Sequence, residues 1–334
     1  MSYLLNEVLP GLKEGWKVLV SEVLGFMSSS FGNTLFVDTN SGSDNNDGGS
    51  PEKAFATIQA AVTAGTKLTT VIVKAKNMSA GDTDPGSYTE NIVIPAAKWG
   101  MRIIGDGFEN RTQGGLPQLK VGSTTTQALL TIRAPGVTIA GLGFNGTGAT
   151  GGGILLDDDG STKTAFGTSI IGCHFKNCVG TTATNAATGG AIQWSAAGGA
   201  WQVRIAGNRF YKNVGDIVLL GTSGSQPQDV IIEDNVFSGP AANVDCNLYL
   251  AGGSGMNGVV IRNNDFPCFP AIGSGTNAKQ LALTGCVGSL VGNTFGCSAK
   301  TFGATGDNLV PTTVLMSNNY QECAAAASGE IGRT

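Results

Sequence analysis

Between residues 101 and 320, apolar and polar positions alternate in short bursts, and eight bursts follow one phrase. It reads apolar, any, Ile or Leu, any, any, often Asn, any, aromatic. The copies are 101–108, 137–144, 168–175, 203–210, 230–237, 259–266, 288–295 and 313–320, with closing aromatics 25 to 36 residues apart. Alternation with a period of two predicts a strand in each copy. Recurrence every 20 to 50 residues or so marks a stacked-repeat architecture.

Five residues before each aromatic stand Ile103, Ile139, Ile170, Ile205, Ile232, Ile261, Leu290 and Leu315. Such a column predicts coils that each point the same side chain into a common core. A second short strand falls between phrases, at 154–156, 192–194, 217–219, 248–250 and 281–283. Two or three short strands per coil, joined by Gly, Ser and Asn turns, predict a parallel β-helix. Some ten coils stacked at about 4.8 Å would make a rod roughly 50 Å long. Asn208, Asn235, Asn264, Asn293 and Asn318 all precede the aromatic by two residues. Asn tolerates the left-handed bend between strands and its amide can bond the next coil's, so this column predicts a structural ladder.

Composition agrees with a turn-rich solenoid: 51 Gly, and only 13% charged residues. A net charge of −4 gives no basic footprint for nucleic acid. The expected organisation is a β-helix domain over residues 34–334 behind an N-terminal segment, 1–33.

Residues 35–73 predict a strand, a polar loop, and a helix opened by Ser50-Pro51-Glu52 with Phe55, Ile58, Ala61 and Val62 on its apolar face. With Phe36-Val37-Asp38, Gly42-Ser43-Asp44, Asn46-Asp47-Gly48 and Phe55-Ala56-Thr57-Ile58-Gln59, this stretch resembles the opening of the pectin-lyase-like right-handed β-helix superfamily. The resemblance implies an all-β right-handed parallel β-helix whose N-terminal end is capped by a helix. That superfamily spans lyases, hydrolases, phage tail spikes and inert structural proteins, so it does not select an activity. The Asp44–Gly48 run lacks the distal bidentate Glu of a calcium loop and reads as a turn.

In residues 1–33, Leu5, Leu9, Leu12, Trp16, Leu19, Val23 and Phe26 recur at alternating steps of four and three, a heptad seam. Pro10 breaks or kinks it. The expected element is an amphipathic oligomerisation or docking helix. It has no basic start or clean cleavage site and is too charged for a membrane span.

Material for chemistry is sparse. His174, the one histidine, is expected to face outward beside a core Phe. The seven cysteines lack metal spacing and read mostly as small core hydrophobes; Cys268 and Cys297 could stack one coil apart, within reach of a disulfide. Glycoside hydrolysis needs two carboxylates about 5–10 Å apart. Asp157, Asp158 and Asp159 with Asp216 are the candidates, followed by Asp229, Glu233 and Asp234. No metal site or cofactor is called for. Outward positions such as Val218, Tyr249 and Ala282 in the second strand, and Ile231, Val260 and Val314 in the phrase, turn apolar and predict an interface.

Taken with the architectural resemblance to phage β-helical appendages, which implies the viral setting by analogy, these features give the expectation of a structural protein of a bacteriophage virion, a spike, tail or head-decoration component. It would be a homotrimer assembled in the host cytoplasm, docked to other virion proteins through 1–33, and would touch host surface polysaccharide. The second expectation is a polysaccharide hydrolase or lyase working in a groove, with Trp194, Trp201 and Tyr249 as its aromatic material.

Overall fold

The computed structural model describes residues 33–75, 87–106, 116–160, 164–182, 185–194, 201–221, 226–237, 246–251, 256–267, 279–296, 302–303, 308–322 and 329–331. The segment 1–33, apart from Asn33, lies outside the described residues, as do Phe108, Cys268 and Cys297.

Three long sheets run the length of the chain, of ten, ten and nine strands. Each coil visits sheet 1, then sheet 2, then sheet 3, as in Thr138–Ala140, Gly143–Asn145 and Ile154–Leu156 before the next coil opens at Ser169–Ile171. Neighbouring coils pair in parallel, so the fold is a right-handed parallel β-helix. The last strand of sheet 2, Gly329–Glu330, instead runs antiparallel to Tyr320–Glu322.

The phrase builds sheets 1 and 2. Its Ile column pairs rung on rung from Ile103 to Leu290, fully buried. Phe144, Phe175, Phe210, Phe237, Phe266 and Phe295 stack with ring centroids 4.5–5.1 Å apart and planes within 10°. That is the strand spacing, so the sheet itself sets the stacking distance.

Between sheets 1 and 2 the chain turns in two residues. The first takes positive φ (Gly172, Gly207, Asp234, Asn263, Gly292), and the second is the ladder Asn, or Cys173 at its head. The ladder residue is therefore not the left-handed one. Its amide lies buried: Asn208 Nδ2 donates to Asn235 Oδ1 at 3.0 Å and to Ile170 O at 2.9 Å, and Asn235, Asn264 and Asn293 repeat the pattern.

The last coil departs from the sequence reading by one residue. Leu290 pairs with Met316, not Leu315, and Asn319, not Asn318, receives the ladder bond from Asn293 at 2.9 Å. Asn318 is the left-handed residue (φ 51°), Leu315 is 74% exposed, and Tyr320 lies at the surface with Gln321 beneath Phe295. Val314 is buried opposite Gly288, so an apolar side chain fills the inward position that the phrase had given to Thr313. Val314 is thus not an outward residue.

The helix also starts later than expected. Pro51–Lys53 forms a single 3-10 turn, and Phe55 pairs with Val37, its N–H bonded to Phe36 O and its carbonyl to Asp38 N. With those groups spent, the α-helix spans Ile58–Ala64 and is capped by Thr57, whose hydroxyl accepts from Ala60 N. Ile58, Ala61 and Val62 are its buried face. The helix packs beside Ile92–Ile94, the terminal strand of sheet 3, and Gln59 Oε1 accepts from that strand's Val93 N at 2.8 Å. Glu90, 31 residues or more away in sequence, accepts from the helix's Ile58 and Gln59 N–H groups at 2.8 Å. Among the described residues no helix is long and apolar enough to cross a membrane.

Candidate functional site

Strands expose every second side chain, and on sheet 3 this puts Val93, Thr131, Leu155 and Gln193 on four successive coils in one outward row. The row is the floor of a groove of about 270 Å³. One wall comes from the turns between sheets 2 and 3, with Gln127, Thr150, Gly151, Thr181 and Thr188; Arg133 and Asp157, just past their strands, form the other.

Gln193 is held in place. Its Nε2 donates to Gly151 O. Gly152 and Gly189, both at positive φ, leave no room for a side chain: a Cβ on Gly189 would sit 2.1 Å from Gln193 Oε1. The next outward residue, Val218, is buried beneath Ala186 and closes that end of the groove. The groove thus offers threonine hydroxyls, the amides of Gln127 and Gln193, the apolar side chains of Val93, Ala128 and Leu155, and one ion pair.

The proposed acids are not brought together. Asp157 Oδ2 accepts from Arg133 Nε at 3.0 Å. Asp158 turns back to accept from Gly160 N at 2.7 Å, and Asp159 is exposed beyond it. Asp216 precedes Ile217, which pairs through Ile192 with Ile154. It therefore lies about 13 Å from Asp157 along the strands and about 10 Å across them, beyond the reach of a paired-carboxylate mechanism.

Asp216 is also sealed. It is 3% exposed and accepts from Asn213 Nδ2 at 2.9 Å and Asn247 Nδ2 at 2.6 Å. Burial pushes its carboxyl up to about 7 against the pull of those two amides. Asn213 also accepts from Cys178 N and donates to Phe175 O, so the corner between sheets 2 and 3 carries a buried polar file of its own. It continues further on, where Asn308 Oδ1 accepts from Gln280 N and its Nδ2 donates to Gln280 Oε1. This second file had no visible signal in the sequence, because its members share no fixed offset from the phrase.

The remaining acids have structural work. Glu233, on the outer face of sheet 1, is clamped between Arg204 and Arg262 at 2.6 and 2.5 Å. Burial would raise its pKa, but the hydrogen bonds from Arg262 and Arg204 outweigh that and hold it below the usual carboxylate range. Asp229 and Asp234 are left-handed corner residues. Asp44 accepts from Ala56 and Thr57 N–H groups at 2.9 Å, which makes its loop a turn built on its own backbone. Among the described residues no group of three or more His, Cys, Asp or Glu could hold a metal ion.

His174 lies on the outer side of its strand, opposite Phe175, but it is covered there and not a surface residue: it is 7% exposed, in a small cavity walled by Leu116, Arg209 and Val236. Burial, then the charges of Arg209 and Lys176, hold its pKa down at about 4, so the ring is neutral near pH 7. Cys173, Cys178 and Cys286 are buried free thiols pushed up to about 12 by burial. Trp194 is a core residue, whereas Trp201 is 40% exposed. The outward strip foreseen on sheet 3 is largely covered by the chain itself: Val218 and Ala282 pack with Ala186 and Cys246, and Tyr249 leans on them.

No protein-family model matches this chain, and no curated protein does. Among solved structures it is similar to pectate lyase Pel9A, at 12% identity and a TM-score of 0.46, covering 86% of this chain and 78% of that one. A rhamnogalacturonan lyase gives 12%, 0.46, 86% and 87%. The ORF18 protein of Geobacillus virus E2 gives 12% and 0.46, with 94% of this chain on 65% of that one, just under two thirds of its length. The two lyases have right-handed parallel β-helix folds, and at these values the likeness carries no activity across.

Proposed function

We propose that this chain is a non-catalytic structural component of a bacteriophage particle, a spike, tail or head-decoration protein, assembled as a trimer of rods and attached through residues 1–33. The observation that carries this reading is the fate of the acids. Asp157 is matched by Arg133, Asp216 is buried among amides, and Glu233 is clamped by two arginines. Among the described residues no two carboxylates face each other across the groove on sheet 3. The buried polar groups serve rungs and corners, which suits a rigid rod rather than a reaction centre. The heptad stripe of residues 5–26 supplies an attachment and register device. The groove supplies a place for host surface glycan to rest.

The mass of the assembly in solution, full length and lacking 1–33, tests this reading together with incorporation of both forms into particles. A trimer that fails to enter particles without the segment supports it, and a monomer in both forms overturns the assembly. The second reading, a polysaccharide hydrolase or lyase, is favoured by the groove itself and by Asp157 at its wall. Depolymerase activity on a glycan panel, abolished by Asp157→Ala, would replace the structural reading with that one.

A further inference from the structure

The corner between sheets 3 and 1 carries a feature that neither the groove nor the ladders use. Leu68, Gly100, Gly136 and Gly167 each take positive φ there. Each donates its N–H to the carbonyl one coil on: to Trp99 at 3.0 Å, Pro135 at 2.8 Å, Phe166 at 2.8 Å and Trp201 at 2.7 Å. The same backbone bond repeated four times puts Trp99, Pro135, Phe166 and Trp201 at one position on four successive coils. Trp99, Phe166 and Trp201 are 43%, 42% and 40% exposed. Three of the six large hydrophobic side chains exposed among the described residues thus fall on one ridge. Lys67 stands at its head, with Nζ 5.4 Å from the Trp99 ring centroid.

We infer that residues 12–26 of the same chain lie along this ridge. The described chain begins at Asn33, whose carbonyl accepts from Thr70 N at 2.9 Å. Asn33 is therefore level with Thr69, two residues beyond Lys67, so the preceding 32 residues join the rod at this same corner, one coil before that of Lys67. Those residues carry an apolar stripe in their sequence: Leu12, Trp16, Leu19, Val23 and Phe26. Lengths agree as well. From the Lys67 coil to the Trp201 coil is about 19 Å at one strand spacing per coil. Residues 12–26, wound as the helix their spacing predicts, span about 21 Å. Residues 27–32, with their three serines and a glycine, give the chain room to fold back. Pro10-Gly11 marks where the docked part ends, leaving Leu5 and Leu9 beyond the ridge for a partner. An exposed aromatic row and an apolar stripe tethered at its head gain by covering each other, at a high effective concentration.

Photo-crosslinking of the full-length protein tests this, with p-benzoylphenylalanine placed at position 201 and, separately, at 166. Crosslinked peptides from residues 12–26 within a single-chain mass are expected. Crosslinks that join two chains would overturn the inference in favour of a rod–rod interface, and a complete lack of crosslinks to 1–32 would overturn it outright. A second measurement guards against local artefacts. Trp201→Glu with Phe166→Glu is expected to speed tryptic cleavage after Lys13 and Lys17 by about tenfold or more, with the melting temperature of the rod unchanged, because cleavage follows the undocked fraction. An unchanged cleavage rate would sink the docking. The inference narrows the virion reading, because a stripe held on its own rod leaves only the stretch before Pro10 for attachment; the two can fail separately, since neither readout here involves the particle.

Discussion

The two corners flanking sheet 2 solve one problem in opposite ways. Each must bury a turn, and buried backbone groups need partners. Between sheets 1 and 2 the solution is repetition: two residues, one left-handed, one an amide, stacked from Asn208 to Asn319. Between sheets 2 and 3 it is improvisation. The chain goes from Asn145 to Ile154 in one coil, Lys176 to Ile192 in another and Tyr211 to Gly215 in a third. There the partners are Asn213, Asp216 and Asn247, one of them an acid. A repeated neutral amide makes a corner indifferent to pH and intolerant of insertion. A corner free to vary in length builds the groove wall and carries a buried acid.

The sharpest way to break the first corner is Asn264→Ala. Its side chain bonds Ile232 O and Asn293, and accepts from Asn235 N and Nδ2. Deletion leaves buried partners unsatisfied, and a loss of about 3–5 kcal/mol is expected from denaturant unfolding. At the second corner the test is pH. Burial pushes the folded pKa of Asp216 up to about 7, against about 3.9 for an aspartate in the unfolded chain. Its stabilising contribution is therefore full below the unfolded pKa and is lost as pH rises to the folded one. Stability should fall between those two values by up to about 1.4 kcal/mol per pH unit. Asp216→Asn should abolish this slope, while a slope kept in the variant would assign it elsewhere.

A smaller effect sharpens the helix end of the rod. Glu90→Ala removes both bonds to the helix N-terminus, and a loss of about 1–2 kcal/mol is expected by the same unfolding measurement. Leu315→Asp should change stability by less than about 0.5 kcal/mol, because that side chain is in water. A loss of core size there would restore the register first read from the sequence.

These sites also mark how far the sequence was legible. Sheets 1 and 2 could be read because their corner fixes the distance from Ile to Phe, so the pattern repeats without slippage. It slipped once, where Asn318 and Asn319 stand side by side and no aromatic follows in register. Only the inward placement of Val314 settles that choice. The helix start was misplaced because Ser50-Pro51-Glu52 carries good capping chemistry, while a distant pairing of Phe55 with Phe36 and Val37 overrides it. The groove, the Asp216 file and the aromatic ridge were not legible. They depend on which turns fall level with one another, and loops of unequal length hide that alignment.

The reversed strand at the end of sheet 2 has a consequence for polymer growth. Stacked parallel strands present evenly slanted donors and acceptors, whereas an antiparallel strand presents closely and widely spaced pairs. Gly329–Glu330 converts the outer edge of sheet 2 from the first pattern to the second, while the opposite end of that sheet opens with the parallel strand Ser87–Thr89. Head-to-tail addition of another molecule at this sheet would pair strands antiparallel, unlike the parallel coil-to-coil pairing of the rod itself. A short reversed strand is one device by which a sheet edge is made a poorer template for a further copy in the rod's own register.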